Sequence, residues 1–192
     1  GNFLTGGTYL GAVAGNYNAS SKDYQVAIGM NAMNDCDGDY SVAVGVDAMS
    51  DGTHFRSVAI GYDALGRFDT SAPYYNVAVG YDSGDNVYSG DYNVFVGYNT
   101  DTLDNTSSSG VAIGASADTT TGSVSVGYQT MASGTSASIY NINIGYQAGF
   151  DLDGGDYNSF MGYQSGYGGG TGNYNTGVGG YRALYSLTTG AS

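Results

Sequence analysis

The most regular feature of the chain is a short alternation of apolar and small or polar residues that ends in glycine. The segments 57–61 (SVAIG), 76–80 (NVAVG) and 93–97 (NVFVG) are typical copies. Counting the glycine as position 0, Tyr recurs at −5 and +1 and Val or Ile at −3 and −1, whereas Asn or Ser recurs at −4 and Ala at −2. Because alternate side chains of a strand point to opposite sides, the pattern predicts a strand with one Tyr/Val/Ile face and one small, polar face.

Eleven copies of this segment follow one another at intervals of 13 to 19 residues, about 17 on average. That length accommodates one short strand and one return, and it is too short for a repeat that contains a helix. We therefore predict an all-β fold, a parallel β-solenoid of about eleven coils in which like residues stack in columns. The structural glycines that end the copies are Gly11, Gly29, Gly45, Gly61, Gly80, Gly97, Gly114, Gly127, Gly145, Gly162 and Gly179.

The columns carry further expectations. Most of the 20 tyrosines fall at −5 and +1, which predicts two stacking ladders. The column at +2 contains Asp47, Asp63 and Asp82 in succession and continues mostly with amides, so we expect an exposed row of like charges that gives way to an amide ladder. The pattern leaves open which face of the strand lies inside, and we favour Val and Ile inside each coil.

The amino-acid composition argues against several classes of binding partner. The formal net charge is −13, all 17 acidic residues are aspartate, and the four basic residues are scattered. Nucleic acid and anionic membrane surfaces require clusters of Lys or Arg, so neither is expected as a partner. No apolar run is long enough to insert in a membrane, and the single cysteine, Cys36, cannot form an intrachain disulfide.

Two groups of segments resemble known fibre proteins. The segment 57–61 (SVAIG) and its relatives resemble the head repeats of trimeric autotransporter adhesins. The segments 145–149 (GYQAG), 162–166 (GYQSG) and 180–190 are similar to repeats of bacteriophage tail-fibre proteins. The resemblance covers nearly the whole chain and implies a left-handed parallel β-roll, three chains around one axis and attachment to a cell surface. The GYQAG pattern favours a phage fibre, and adhesin heads have a shorter repeat than this chain.

From this resemblance we expect a structural and adhesive fibre segment, homotrimeric and extracellular, in a virion tail fibre or a cell-surface appendage. Residues 1–192 would form one solenoid domain of a longer fibre, with neighbouring fibre segments covering its ends. Its loops would bind a host-surface carbohydrate or protein. The alternatives are a trimeric bacterial adhesin head, a passive structural spacer and, with less support, a polysaccharide depolymerase.

Candidate chemistry is confined to the irregular turns. No pair of residues is distinguished as catalytic, so we expect no enzymatic activity. The lone His54 is expected at the surface or in a turn. Tyrosines outside the two columns are the candidates for receptor binding: Tyr74, Tyr88, Tyr167 and Tyr185. Aspartates in two turns could bind Ca²⁺, although solvated turns are the favoured interpretation: Asp35, Asp37, Asp39, Asp151, Asp153 and Asp156.

Overall fold

The chain forms a stack of short parallel strands. A computed structural model describes residues 6–16, 24–36, 38–67, 74–134, 138–168 and 170–186. These residues fold as an all-β parallel β-solenoid of about nine coils, with no helix among them. Each glycine-terminated segment contributes one strand to a single sheet of eleven. Those strands are β1 (Thr8–Leu10), β2 (Val26–Ile28), β4 (Val42–Val44), β6 (Val58–Ile60), β7 (Val77–Val79), β8 (Val94–Val96), β10 (Val111–Ile113), β12 (Val124–Val126), β13 (Ile142–Ile144), β14 (Ser159–Tyr163) and β15 (Thr176–Tyr181).

Four strands of two residues form two small sheets outside the main one. In the first, β3 (Asp35–Cys36) pairs in parallel with β5 (Asp51–Gly52), and in the second, β9 (Asp101–Thr102) pairs in parallel with β11 (Asp118–Thr119). In the main sheet the predicted register holds, since each −3, −2 and −1 residue of β2 lies opposite its equivalent in β4. Nothing in the described ranges is a helix that could cross a membrane.

The small face of the strand lies inside the coil. Ala27, Ala43 and Ala59, at position −2, have no exposed surface, whereas Ile60 and Ile144, at −1, are 42% and 39% exposed. The expectation that Val and Ile fill the interior is therefore wrong. A coil of about 17 residues encloses so little volume that the two walls nearly touch, and only small side chains fit between them.

Side-chain volumes inside the coils compensate one another. In three coils position −2 is alanine and the residue at +4 is large, namely the buried Met33, Met49 and Leu65. Phe95 is a buried exception at −2, and Gly84 makes room for it, because an added Cβ at Gly84 would stand 2.8 Å from the Phe95 ring. The interior is therefore a narrow core that runs along the stack, with one cluster of buried side chains between Ala27 and Ala117 and a second around Phe160 among the described residues.

The glycine at position 0 is fixed by two constraints. Ten of the eleven ladder glycines have φ between +131° and +146°, a region that side chains rarely adopt. They also stack directly on one another. A Cβ added at Gly97 would collide with the carbonyl oxygen of Gly114 one coil further on. Glycine is therefore required at this corner both by conformation and by the close approach of the next backbone.

Position −4 joins each coil to the next through buried side chains. The amide of Asn93 donates to the carbonyl oxygen of Ser107 at 2.8 Å and accepts the backbone N–H of Gly110 at 2.8 Å. Serine can replace asparagine here, since Ser41 donates to the carbonyl oxygen of His54 and accepts the backbone N–H of Ser57. This column satisfies backbone groups inside the solenoid that water cannot reach.

Replacing Asn93 with alanine should destabilise the fold by about 2–4 kcal/mol, because the Ser107 carbonyl and the Gly110 N–H would stay buried without partners. Chemical denaturation followed by far-UV circular dichroism measures the loss. Asn175→Ala is the matched control, since the partly exposed Asn175 lies just before β15 and its side chain only bonds back to Asn158. Equal losses in the two variants would contradict the role of the column.

His54 also lies inside the solenoid. It has no exposed surface, so the expectation of a surface or turn histidine is wrong. Burial is the main influence on its imidazole and lowers the pKa of His54 to about 3. The side chain is therefore neutral at physiological pH and packs as part of the interior.

Candidate binding surface

The main sheet presents an apolar face to solvent along the whole stack. We call this the apolar face and define it by the columns at −5, −3, −1 and +1. It includes well exposed side chains such as Ile113, Ile142 and Val178, which are 37%, 42% and 62% exposed. Apart from the tyrosines, the only ionisable side chain in these four columns is that of Arg56. The aspartates that give the chain its net charge of −13 therefore lie outside the columns of the apolar face.

Tyrosines border the apolar face on both sides. The predicted ladders are confirmed: at +1, Tyr146 and Tyr163 stack with ring centroids 4.9 Å apart, and at −5, Tyr75 and Tyr92 stack at 5.0 Å. The −5 tyrosines have φ between +56° and +60°, so they lie in a turn and not in the strand. A left-handed backbone costs a bulky residue about 1–2 kcal/mol, and stacking on both sides offsets that cost.

One cation is built into the −5 ladder. Arg56 occupies the place of a tyrosine, also with positive φ, and its guanidinium lies 5.7 Å from the Tyr40 ring centroid and 5.6 Å from that of Tyr75. A planar guanidinium between two aromatic faces continues the stack by cation–π contact. The sequence analysis did not predict this role, although the position of Arg56 in the repeat would have indicated it.

Stacking determines what the tyrosines can offer to a ligand. Within each ladder the ring faces cover one another at about 5 Å, so a sugar ring cannot lie flat on them. Ring edges and hydroxyl groups are exposed instead, in regular rows that flank the Val and Ile side chains. The apolar face therefore suits a flat protein surface better than a stacking carbohydrate.

Three of the four candidate tyrosines outside the two columns are stacked on other aromatic rings. Tyr74 stacks on Phe55 at 5.0 Å, and Tyr167 stacks between Phe150 and Tyr185 at 4.9 and 5.1 Å. These three tyrosines belong to two short ladders of their own, which were not predicted from the sequence. Tyr88 is partly buried beside a turn, where its backbone N–H donates to the Asn105 carbonyl. Receptor binding by these four tyrosines stays a prediction.

The aspartate turns are ordinary hydrogen-bonded turns where they are described. Asp156 accepts the backbone N–H of Ile139 at 2.9 Å, and the exposed Asp151 and Asp153 lie before it in the same turn. Asp35 is exposed in β3, Asp39 is partly buried, and Asp37 falls outside the described residues. Among the residues described, no group of three or more Asp, Glu, His or Cys side chains could hold a metal ion. Calcium binding gains no support from this geometry.

The column at +2 follows its sequence pattern in part. Asp47, Asp63 and Asp82 are partly buried, so the expectation of an exposed row is wrong. Burial, followed by the charges of Asp82 and Asp47, raises the pKa of Asp63. Further along, the amide of Gln147 donates to Gln129 at 2.9 Å, and that of Gln164 donates to Gln147 at 2.8 Å. The amide ladder predicted for this column is confirmed.

These features define a repeat protein whose columns supply its stability and whose apolar face is left uncovered. Comparison with protein families, curated proteins and solved structures finds no match to this chain. Arguments about function therefore depend on the surface itself.

Proposed function

We propose that the chain is a segment of a homotrimeric extracellular fibre, from a virion tail or a cell-surface appendage, that attaches to a host-surface glycan or protein. In this proposal all eleven repeats form coils of a left-handed β-roll, and neighbouring fibre segments cover the two ends. The supporting observation is the apolar face, a strip of exposed Val, Ile and Tyr side chains that runs the length of the sheet.

The dimensions of the apolar face suit association with copies of the same chain. Eleven strands spaced at about 4.8 Å span on the order of 50 Å, and a width of about 15 Å gives roughly 750 Å² per chain. This is close to the area of about 800 Å² that each partner buries in a standard stable interface. With acidic side chains absent from its four columns, three chains can approach without bringing carboxylates together.

Light scattering coupled to size exclusion tests the trimer. The expected mass is three times the 19.6 kDa of the chain. Triple substitution of Ile60, Ile113 and Ile144 by lysine should give a monomer with an unchanged circular dichroism spectrum, because these side chains are exposed in the single chain and lysine would be desolvated in an interface. Asn105→Lys with Ser133→Lys, exposed and outside the four columns, is the control and should leave the mass unchanged. A folded wild-type monomer at micromolar concentration would contradict the proposal.

The adhesive part of the function needs a separate test. If the apolar face is covered by partner chains, the surfaces left for a receptor are the loops, and Tyr74, Tyr88, Tyr167 and Tyr185 are the candidate tyrosines there. A glycan array and binding to whole host cells would compare wild type with alanine variants of these tyrosines. Loss of binding in the variants supports attachment through the loops, whereas a stable trimer that binds nothing would be a passive spacer.

A further inference from the structure

Arg56 places one unpaired positive charge on the apolar face. Its guanidinium continues the ladder between Tyr40 and Tyr75, and the residue is exposed. Among the described residues the one salt bridge joins Arg67 to Asp85, so the guanidinium of Arg56 has no carboxylate partner in the described part of its own chain. Covering this face with apolar side chains alone would leave the charge desolvated and unpaired, which opposes association. A partner that covers the face therefore has to bring a negative charge to Arg56.

Three negative charges lie just beyond the opposite border of the face, in the same coils. Arg56 precedes β6 and Asp63 follows it, and Asp47 and Asp82 occupy the +2 column one coil to either side. These carboxylates act on one another, since the charges of Asp82 and Asp47 follow burial among the causes that raise the pKa of Asp63. The two borders of β6 and its neighbouring strands thus carry opposite charge.

Rotational symmetry brings these two borders together. In a cyclic assembly of parallel chains whose apolar faces point to the axis, the −5 border of each chain adjoins the +1 border of the next. Rotation about an axis along the stack does not change height, so the borders that meet belong to the same coils. Arg56 of one chain then lies beside Asp63 of the next chain, between Asp47 and Asp82. In an antiparallel pair the −5 borders would meet each other, and the −5 column holds no carboxylate.

We propose that Arg56 of each chain forms an ion pair with Asp63 of the next chain, repeated at every interface around the axis. The ion pair presupposes the homotrimer proposed above and is the contact that selects parallel over antiparallel chains. It compensates the charge of Arg56 on the apolar face, and the guanidinium in turn relieves the repulsion along the row of aspartates.

Two substitutions reverse the charges at positions that accept them. Arg56→Asp introduces a residue that tolerates the left-handed backbone present there at φ of +54°. Asp63→Arg introduces arginine into a column in which the last coil already holds Arg182, whose side chain donates to Gln164 at 2.8 Å. Circular dichroism of each variant is expected to match that of the wild type.

Sedimentation equilibrium of the full chain measures the effect on the trimer. Each single reversal should weaken the trimer on the order of tenfold for each contact, about a thousandfold for three contacts, because like charges then meet. Combining Arg56→Asp with Asp63→Arg should recover most of this loss. Additive effects of the two reversals in a protein whose wild type is a trimer would overturn the ion pair and leave the trimer intact, whereas a wild-type monomer would contradict both.

Arg56→Tyr provides a matched control, because Tyr40 and Tyr75 occupy the same position in the coils on either side. In this background Asp63→Arg should have little effect on the trimer, since the guanidinium that repels it is gone. A full thousandfold loss there would overturn the ion pair. If a charge reversal does not fold, Arg56→Tyr and Asp63→Asn give the same cycle without new charges, and a coupling of less than about twofold for each contact would overturn the proposal equally.

Discussion

Alanine at position 97 is expected to prevent the central coils from forming. Gly97 has φ of +146°, and an added Cβ would meet the carbonyl oxygen of Gly114. The strand cannot move away, since the Gly97 N–H donates to the Val79 carbonyl on one side and the Val96 carbonyl accepts the Gly114 N–H on the other. We expect Gly97→Ala to cost on the order of 4 kcal/mol or more, as measured by chemical denaturation and by the loss of the wild-type circular dichroism spectrum.

Gly180→Ala is the matched control for this substitution. Gly180 also lies in a strand of the main sheet, but nothing lies within 4 Å of the Cβ that alanine would add there. We expect a change within about 0.5 kcal/mol. A similar loss of stability in Gly97→Ala and Gly180→Ala would show that the stack does not require glycine at the corner.

Acid should destabilise the protein through His54. Its pKa is about 3 in the folded chain and about 6.5 when unfolded, so the unfolded state binds the proton more readily. The contribution of neutral His54 is complete above pH 6.5 and is lost as the pH falls towards 3, amounting to about 4–5 kcal/mol at the lower limit. The difference in unfolding free energy between wild type and His54→Gln, measured from pH 7 to pH 3, should shrink by this amount.

The comparison with His54→Gln separates the effect of His54 on the pH dependence of stability from that of the carboxyl groups. Asp101 and Asp118 have raised pKa values and contribute in the opposite direction, since they stabilise the fold as the pH falls towards 4. Their effect is present in both proteins and cancels in the difference. A difference that does not change with pH would mean that His54 is not held neutral in the interior.

The strands and their register could be predicted from the sequence because each copy repeats the same alternation and ends in the same glycine. The face that lies inside the coil could not be predicted in this way. Val and Ile are the usual interior residues of a strand, yet here the interior is bounded by a second wall of the same coil, and the limit is volume. The buried Asn93 in one coil and Ser41 in another, both at −4, were the signal, because polar side chains recur inside only where backbone groups need partners.

The candidate sites were harder to predict because they depend on contacts between coils of unequal length. Tyr167 and Tyr185 appeared isolated in sequence, since an extra glycine displaces the last copy, and the fold stacks them. Asp101 and Asp118 each occur four residues after a ladder glycine and precede a threonine. That repeated pair was visible in the sequence, but its burial was not, because the small sheet β9–β11 has no counterpart in most coils.

The buried column at −4 gives the stack a direction. Asn76, Asn93, Asn141 and Asn158 each offer both amide atoms to the coil that follows, and none of these bonds runs to the coil before. A coil that has formed thus presents a ready template to the chain that comes next. We expect folding to advance from the amino-terminal side as the polypeptide is synthesised, with each finished layer lowering the entropic cost of ordering its successor.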